Sequence, residues 1–225
     1  MRRFYAYGVV LIALGLLLVL VVGVSCGESE PEGPPTFSDY PPMEIDPLRA
    51  YNVVLTTSLG RITFKLNPEE APLAVNSFMF LARQGFYDGI TVYRLLPGVL
   101  AEAGDPTGTG DGGPGYTFEI EPPHRLYVRG DLVMANSGTP NSNGSRFFII
   151  LGDVSANGEL PPDYTLVGQI KENHKPSLRT LDKIGAMAVG PGPTGEESVP
   201  QEPITIESTQ ATEGCLASGS MYQCN

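Results

Sequence analysis

The chain contains no tryptophan, only two histidines and three cysteines, and 14 basic residues against 25 acidic ones among 225. Each scarcity removes a class of function. A formal net charge of −11 argues against counterion-release binding, so no nucleic-acid partner is expected. His124 and His174 sit in polar, proline-flanked stretches with no carboxylate or cysteine at ligand spacing, so neither a metal site nor a cofactor is expected. Neither a Gly-x-Ser-x-Gly elbow nor a His-Glu-x-x-His sequence occurs, which leaves hydrolytic chemistry without a seat. Glycine (27) and proline (21) are plentiful, and 41% of residues are apolar. That composition supports one good-sized domain, rich in turns and strands, with a buried core.

The termini read differently from the middle. Arg2 and Arg3 precede an uncharged run from Phe4 to Gly27, the pattern of an export signal. The run is also long enough to span a bilayer, so residues 1–26 are read as a signal with lipidation or as a retained helical anchor. Val22-Gly-Val-Ser-Cys-Gly27 resembles a bacterial lipobox with Cys26 as the lipidated residue, although Gly23 replaces the usual large aliphatic. Either alternative places the domain outside the cytoplasmic membrane and tethered to it. Residues 27–50 carry Pro31, Pro34, Pro35, Pro41, Pro42 and Pro47 among acids, and read as a disordered tether. Residues 209–225 read as a tail. With Cys26 lipidated, Cys215 and Cys224 remain, an even remainder that points to a disulfide outside the reducing cytosol; two free thiols are the alternative.

Between these ends the apolar pattern predicts a domain over 51–208. Tyr51, Val53 and Leu55, then Ile62, Phe64 and Leu66, alternate with polar residues across Ser58-Leu-Gly60, a hairpin with one face inward. Pro72 opens a helix carrying Val75, Phe78, Leu81 and Ala82, with Gly85 as its stop. A second helix is predicted over Ser177–Ile184, ended by Gly185. Thr91–Leu95, Leu132–Ala135, Phe147–Leu151 and Leu166–Ile170 read as short strands. Many short strands with two peripheral helices point to a closed antiparallel barrel capped by helices.

Gly108, Gly110 and Gly113 match GxGxxG, but Pro114 and Gly115 follow at once, so no helix can start there to bind a pyrophosphate. The segment reads as a wide loop. Arg94 stands out within Val92-Tyr-Arg-Leu-Leu-Pro97; alternation sets Tyr93 and Leu95 opposite to it.

Several motifs then fall in one order: Asn76-Ser-Phe-Met-Phe-Leu81, Tyr87-Asp-Gly-Ile-Thr-Val-Tyr-Arg94, Pro97-Gly98, Gly104-Asp105, Met134-Ala-Asn136, Asn143-Gly-Ser145 and Phe147-Phe-Ile149. In them, residues 51 to about 208 resemble the cyclophilins, the peptidyl-prolyl cis-trans isomerases. The resemblance implies a closed antiparallel eight-stranded β-barrel capped by two α-helices, a monomer, and proline-containing peptides or unfolded proteins as partners. It implies that Arg94 is the catalytic arginine, Ala135 and Asn136 the peptide-binding rail, Phe148 the floor of the proline pocket and Leu160 its wall. Val99, Leu100, Glu102 and Arg146 stand where the family usually has phenylalanine, methionine, glutamine and glutamine, and Tyr164 where histidine is common. Glu159 replaces the tryptophan many relatives use for cyclosporin, so weak cyclosporin binding is expected. The departures point to an isomerase of reduced activity that assists extracytoplasmic folding; a catalytically weak proline-peptide-binding or chaperone module on the same fold is the alternative.

Overall fold

The computed structural model describes residues 33–154, 160–171, 173–218 and 221–223. The expectations for the signal or anchor, for Cys26 and for Glu159 therefore fall on positions outside the described residues, as does Cys224 of the expected Cys215–Cys224 bridge. Among the described residues no helix is long and apolar enough to cross a membrane.

Among the described residues eleven strands and two helices follow one another as β1 (Arg49–Thr57), β2 (Gly60–Leu66), α1 (Pro72–Arg83), β3 (Arg94–Leu96), β4 (Leu100–Ala103), β5 (Asp131–Met134), β6 (Phe147–Ile150), β7 (Leu166–Ile170), α2 (Lys175–Gly185), β8 (Val189–Pro191), β9 (Glu197–Pro200), β10 (Ile206–Ser218) and β11 (Met221–Gln223). The β1–β2 hairpin forms as the alternation predicts, with Val53 against Phe64 and Leu55 against Ile62, all buried. Both predicted helices are present.

The α1 termini show how local sequence and distant partners combine. Pro72 occupies the first turn and Ala71 offers no side-chain cap. Glu121 supplies one instead: its carboxylate accepts from the Leu73 and Ala74 N–H groups at 3.0 and 2.9 Å. At the other end Gly85 takes φ +67, and the Gly85 and Phe86 N–H groups bond back to the Ala82 and Leu81 carbonyls. That is a Schellman closure, which favours a residue without Cβ.

Nine strands form one sheet in the order β11-β10-β1-β2-β7-β5-β6-β4-β3, and β8–β9 form a separate pair. The expected closed eight-stranded barrel is corrected here. The sheet curls through 190° about its axis and leaves its edges 14 Å apart, an open half-barrel. Closure needs a continuous ladder between the first and last strands. The three-residue β3 pairs only with β4, and the segment before it meets the start of β10 only locally, through the Thr91–Thr205 bridge and the bonds of the Gly89 and Val92 N–H groups to the Ile206 and Ile204 carbonyls and of the Ile206 N–H to the Ile90 carbonyl.

The described parts of the two flanking stretches, residues 33–50 and 209–218, make contacts with the domain. Asn76, buried in α1, donates to the Pro42 carbonyl and accepts from the Glu44 N–H. The Phe37 ring packs edge-on against Phe80, and the Tyr40 hydroxyl donates to the Leu73 carbonyl. At the far end β10 continues to Ser218 and pairs with β1 from Thr57↔Ile206 to Arg49↔Leu216.

Period-two alternation divides the curved sheet into two apolar layers. Leu95, Ala101, Ala103, Leu132, Met134, Phe147 and Ile149 point inward, to the core beneath α1 and α2. Their neighbours point outward and build the site.

Candidate functional site

On the outer face Leu100, Val133, Ala135, Phe148, Ile150 and Leu166 form a second buried cluster. Val99, Leu160 and Tyr164 pack against it, half-buried. The cluster thus unites every residue expected in the pocket, together with Ala135 and Tyr164. Phe148 meets Tyr164 edge-on at 5.3 Å between ring centres, which fixes both rings. Tyr127 lies beneath them: its hydroxyl donates to the Tyr164 carbonyl at 2.7 Å and accepts from the Tyr164 N–H at 2.9 Å. Burial, above all, pushes the Tyr127 phenol well above its ordinary value, so it stays a neutral donor.

The rail expected at Ala135 and Asn136 lies where β5 runs out. The Ala135 N–H is taken by the Arg146 carbonyl at 2.9 Å. The Asn136 side chain is turned to its neighbours, donating to the Asp163 carbonyl and accepting from the Gly138 N–H.

Arg94, Glu102 and Phe148 stand in register across β3, β4 and β6. The expected cation therefore shares a face with the expected pocket floor, with one strand between them. Glu102 lies between, with its side chain only 12% exposed. It accepts from the Tyr93 hydroxyl at 2.5 Å, faces Arg94 Nη1 at 3.5 Å and has Arg146 Nη1 at 4.0 Å. A buried carboxylate requires such partners, since desolvating it alone costs several kcal/mol. Burial and the adjoining Glu102 charge raise the Tyr93 phenol far above its usual range.

Tyr93 corrects one expectation. Leu95 does enter the core opposite Arg94, but Tyr93 precedes the first ladder residue and its hydroxyl reaches the same carboxylate as Arg94. Alternation holds only where the backbone is extended in register.

Glu196 was not anticipated. It lies in the turn between β8 and β9, and its Oε2 accepts from Arg94 Nε at 3.2 Å. A cavity of about 640 Å³ opens here, bounded by Arg94, Glu102, Arg146, Glu196 and the glycine loop at Gly108–Gly110. That loop is built on Asp105, whose carboxylate accepts from the Thr107, Thr109 and Gly110 N–H groups and the Thr107 hydroxyl. Burial alone would raise the Asp105 carboxyl, but these bonds, with one from Gly112, hold it below its ordinary value. Gly112 comes so close that a Cβ there would lie 1.9 Å from Asp105 Oδ1.

Chemically the face offers an apolar cluster with a half-exposed guanidinium on the same side of the sheet. No group of three or more potential metal ligands occurs among the described residues.

The family profile of cyclophilin type peptidyl-prolyl cis-trans isomerases matches residues 52–211. "Probable peptidyl-prolyl cis-trans isomerase B" of Mycobacterium tuberculosis is 40% identical over 173 residues, covering 70% of this chain and 53% of that protein. The chain thus spans about half the length of this curated relative. A cyclophilin type isomerase of Cryptosporidium parvum superposes with a TM-score of 0.62 at 27% identity, covering 72% of this chain and 98% of its own. A second crystal structure of it, in the presence of the dipeptide Ala-Pro, gives 0.60 at 29% identity, covering 70% and 96%. The profile spans β1 to β10 and takes in the whole outer face just described: the chain belongs to the cyclophilin-type peptidyl-prolyl cis-trans isomerase family.

Proposed function

We propose that this chain is a peptidyl-prolyl cis-trans isomerase that acts on proline-containing segments of proteins outside the cytoplasmic membrane. The observation that carries the reading is the register of Arg94, Glu102 and Phe148 on one outer face. An X-Pro bond rotates slowly because conjugation gives a barrier of about 18–20 kcal/mol. Twisting it breaks that conjugation and leaves the proline nitrogen pyramidal and basic. Val99, Leu100, Phe148 and Leu160 hold the ring, Ala135 and Asn136 hold the flanking backbone, and Arg94 donates to the nitrogen. A donor that meets this atom only in the twisted state lowers the barrier without tightening the ground state.

The relative solved with Ala-Pro supports an X-Pro dipeptide as the minimal ligand. Arg2, Arg3 and the run from Phe4 to Gly27 support export, with a lipid on Cys26 or an uncleaved helix as the tether. The intact mass of membrane-extracted protein separates those two anchors.

One observation favours a second reading, a proline-peptide binder of low turnover: Arg94 is held by two carboxylates, Glu102 and Glu196. Exchange spectroscopy on an Ala-Pro peptide decides between them. Cis and trans signals exchanging far faster with the chain than in buffer support the isomerase. Peptide shifts without faster exchange leave the binder.

A further inference from the structure

The geometry points to Glu196 as a positioning residue for Arg94, delivered from the β8–β9 hairpin; this rests on the isomerase reading above. Glu102 lies on the neighbouring strand and is shared among Tyr93, Arg94 and Arg146, with the Arg94 contact at the hydrogen-bond limit of 3.5 Å. Glu196 approaches more closely, at 3.2 Å, and on a different nitrogen. A single bond at Nη1 leaves the guanidinium free to turn about its long stem. A second bond at Nε fixes the plane, and the Nη2 group stays available.

The hairpin is built to hold Glu196 still. The Glu196 carbonyl accepts from the Gly192 N–H at 2.7 Å and from the buried Ser198 hydroxyl at 3.4 Å. Gly192 packs so tightly that a Cβ there would meet Ser198 Oγ at 2.5 Å. The Gly195 N–H closes the turn on the Gly192 carbonyl at 3.0 Å, and the Gln201 N–H ties the outgoing strand to Ala188. The carboxylate thus projects from a closed turn. Its side chain is 42% exposed and that of Arg94 36%, so the pair adds little to stability. Its consequence is orientation, and a donor aimed at a forming lone pair loses effect steeply with misorientation.

The test reads Arg94 directly. In the full chain in detergent, the Arg94 Nε–H resonance is assigned by its loss in Arg94→Lys. Glu196→Ala is expected to shift that resonance and speed its exchange with water, and to lower kcat roughly tenfold with KM nearly constant, a loss of orientation rather than of binding. Glu196→Gln, whose amide oxygen still accepts, restores most of both. An unchanged resonance in Glu196→Ala overturns the proposal whatever happens to kcat, and so does a shifted resonance with unchanged kcat. If the wild-type chain does not catalyse isomerisation at all, the isomerase reading fails, while the resonance still decides whether Glu196 positions Arg94. Should Glu196→Ala not fold, a Glu196→Gln resonance identical to that of Glu196→Asp overturns the pairing, because the shorter acid cannot reach.

Discussion

Arg94 sits between an acid it shares and an acid of its own, and that arrangement sets the chemistry available to the face. None of the groups invoked, a guanidinium, apolar side chains and backbone amides, changes protonation during turnover. Catalysed exchange is therefore expected to be nearly flat from about pH 6 to 8, unlike a histidine-dependent enzyme; a bell-shaped rate profile there would count against the scheme. Tyr127 makes a second residue-scale prediction. Its hydroxyl both donates to and accepts from the Tyr164 backbone, so Tyr127→Phe leaves a half-buried carbonyl and N–H without that partner. The cost is about 1–3 kcal/mol in denaturant unfolding, with weaker peptide binding as Tyr164 loosens from Phe148. These residues differ in how visible they are in sequence. Arg94, Phe148 and Leu160 stand in short motifs whose order is legible. Glu196 is not, because it is one of two adjacent glutamates in a glycine-rich turn, and only the path of the hairpin brings it to Arg94.

At the scale of elements, periodicity was informative where strands run several residues in register and failed where they do not. The β1–β2 hairpin and both helices lie where their apolar spacing places them. β8 and β9 are short, rich in glycine and proline, and carry no alternation. The irregular backbone before β3 turned Tyr93 to the unexpected side for the same reason. The glycine loop is legible as a loop from its composition, but its scaffold is a single buried acid. Because the folded Asp105 carboxyl lies below its unfolded value, its stabilising effect is complete above that unfolded value, about 3.9, and is lost as pH falls through the folded one. The melting temperature of Asp105→Asn should therefore fall less steeply than wild type as pH is lowered below about 4. Parallel curves would remove Asp105 as the loop's scaffold. α1 depends likewise on Glu121, and Glu121→Ala should cost about 1 kcal/mol by freeing two N–H groups.

For the whole molecule, the half-barrel stays open because its edge strand is three residues long, a limit that counting strands in a sequence does not expose. The proline-rich approach shows a related limit. Its composition reads as unable to order itself, yet Phe37, Tyr40 and the Pro42–Glu44 backbone find partners on α1 and the loop before β5. A chain beginning at Tyr51 is accordingly expected to melt several degrees lower than one beginning at residue 33, a difference scanning calorimetry resolves. Identical melting would mean that these contacts do not stabilise the domain.

The central claim is that Arg94 acts on the twisted amide and not on the bound peptide. It is tested most directly by exchange spectroscopy of an Ala-Pro peptide with Arg94→Ala. Removing one preorganised donor to developing charge lowers turnover roughly a hundredfold, so the account predicts near-wild-type affinity with catalysed exchange reduced by about that factor. Unchanged exchange, or a loss of exchange that merely follows a loss of binding, would contradict it.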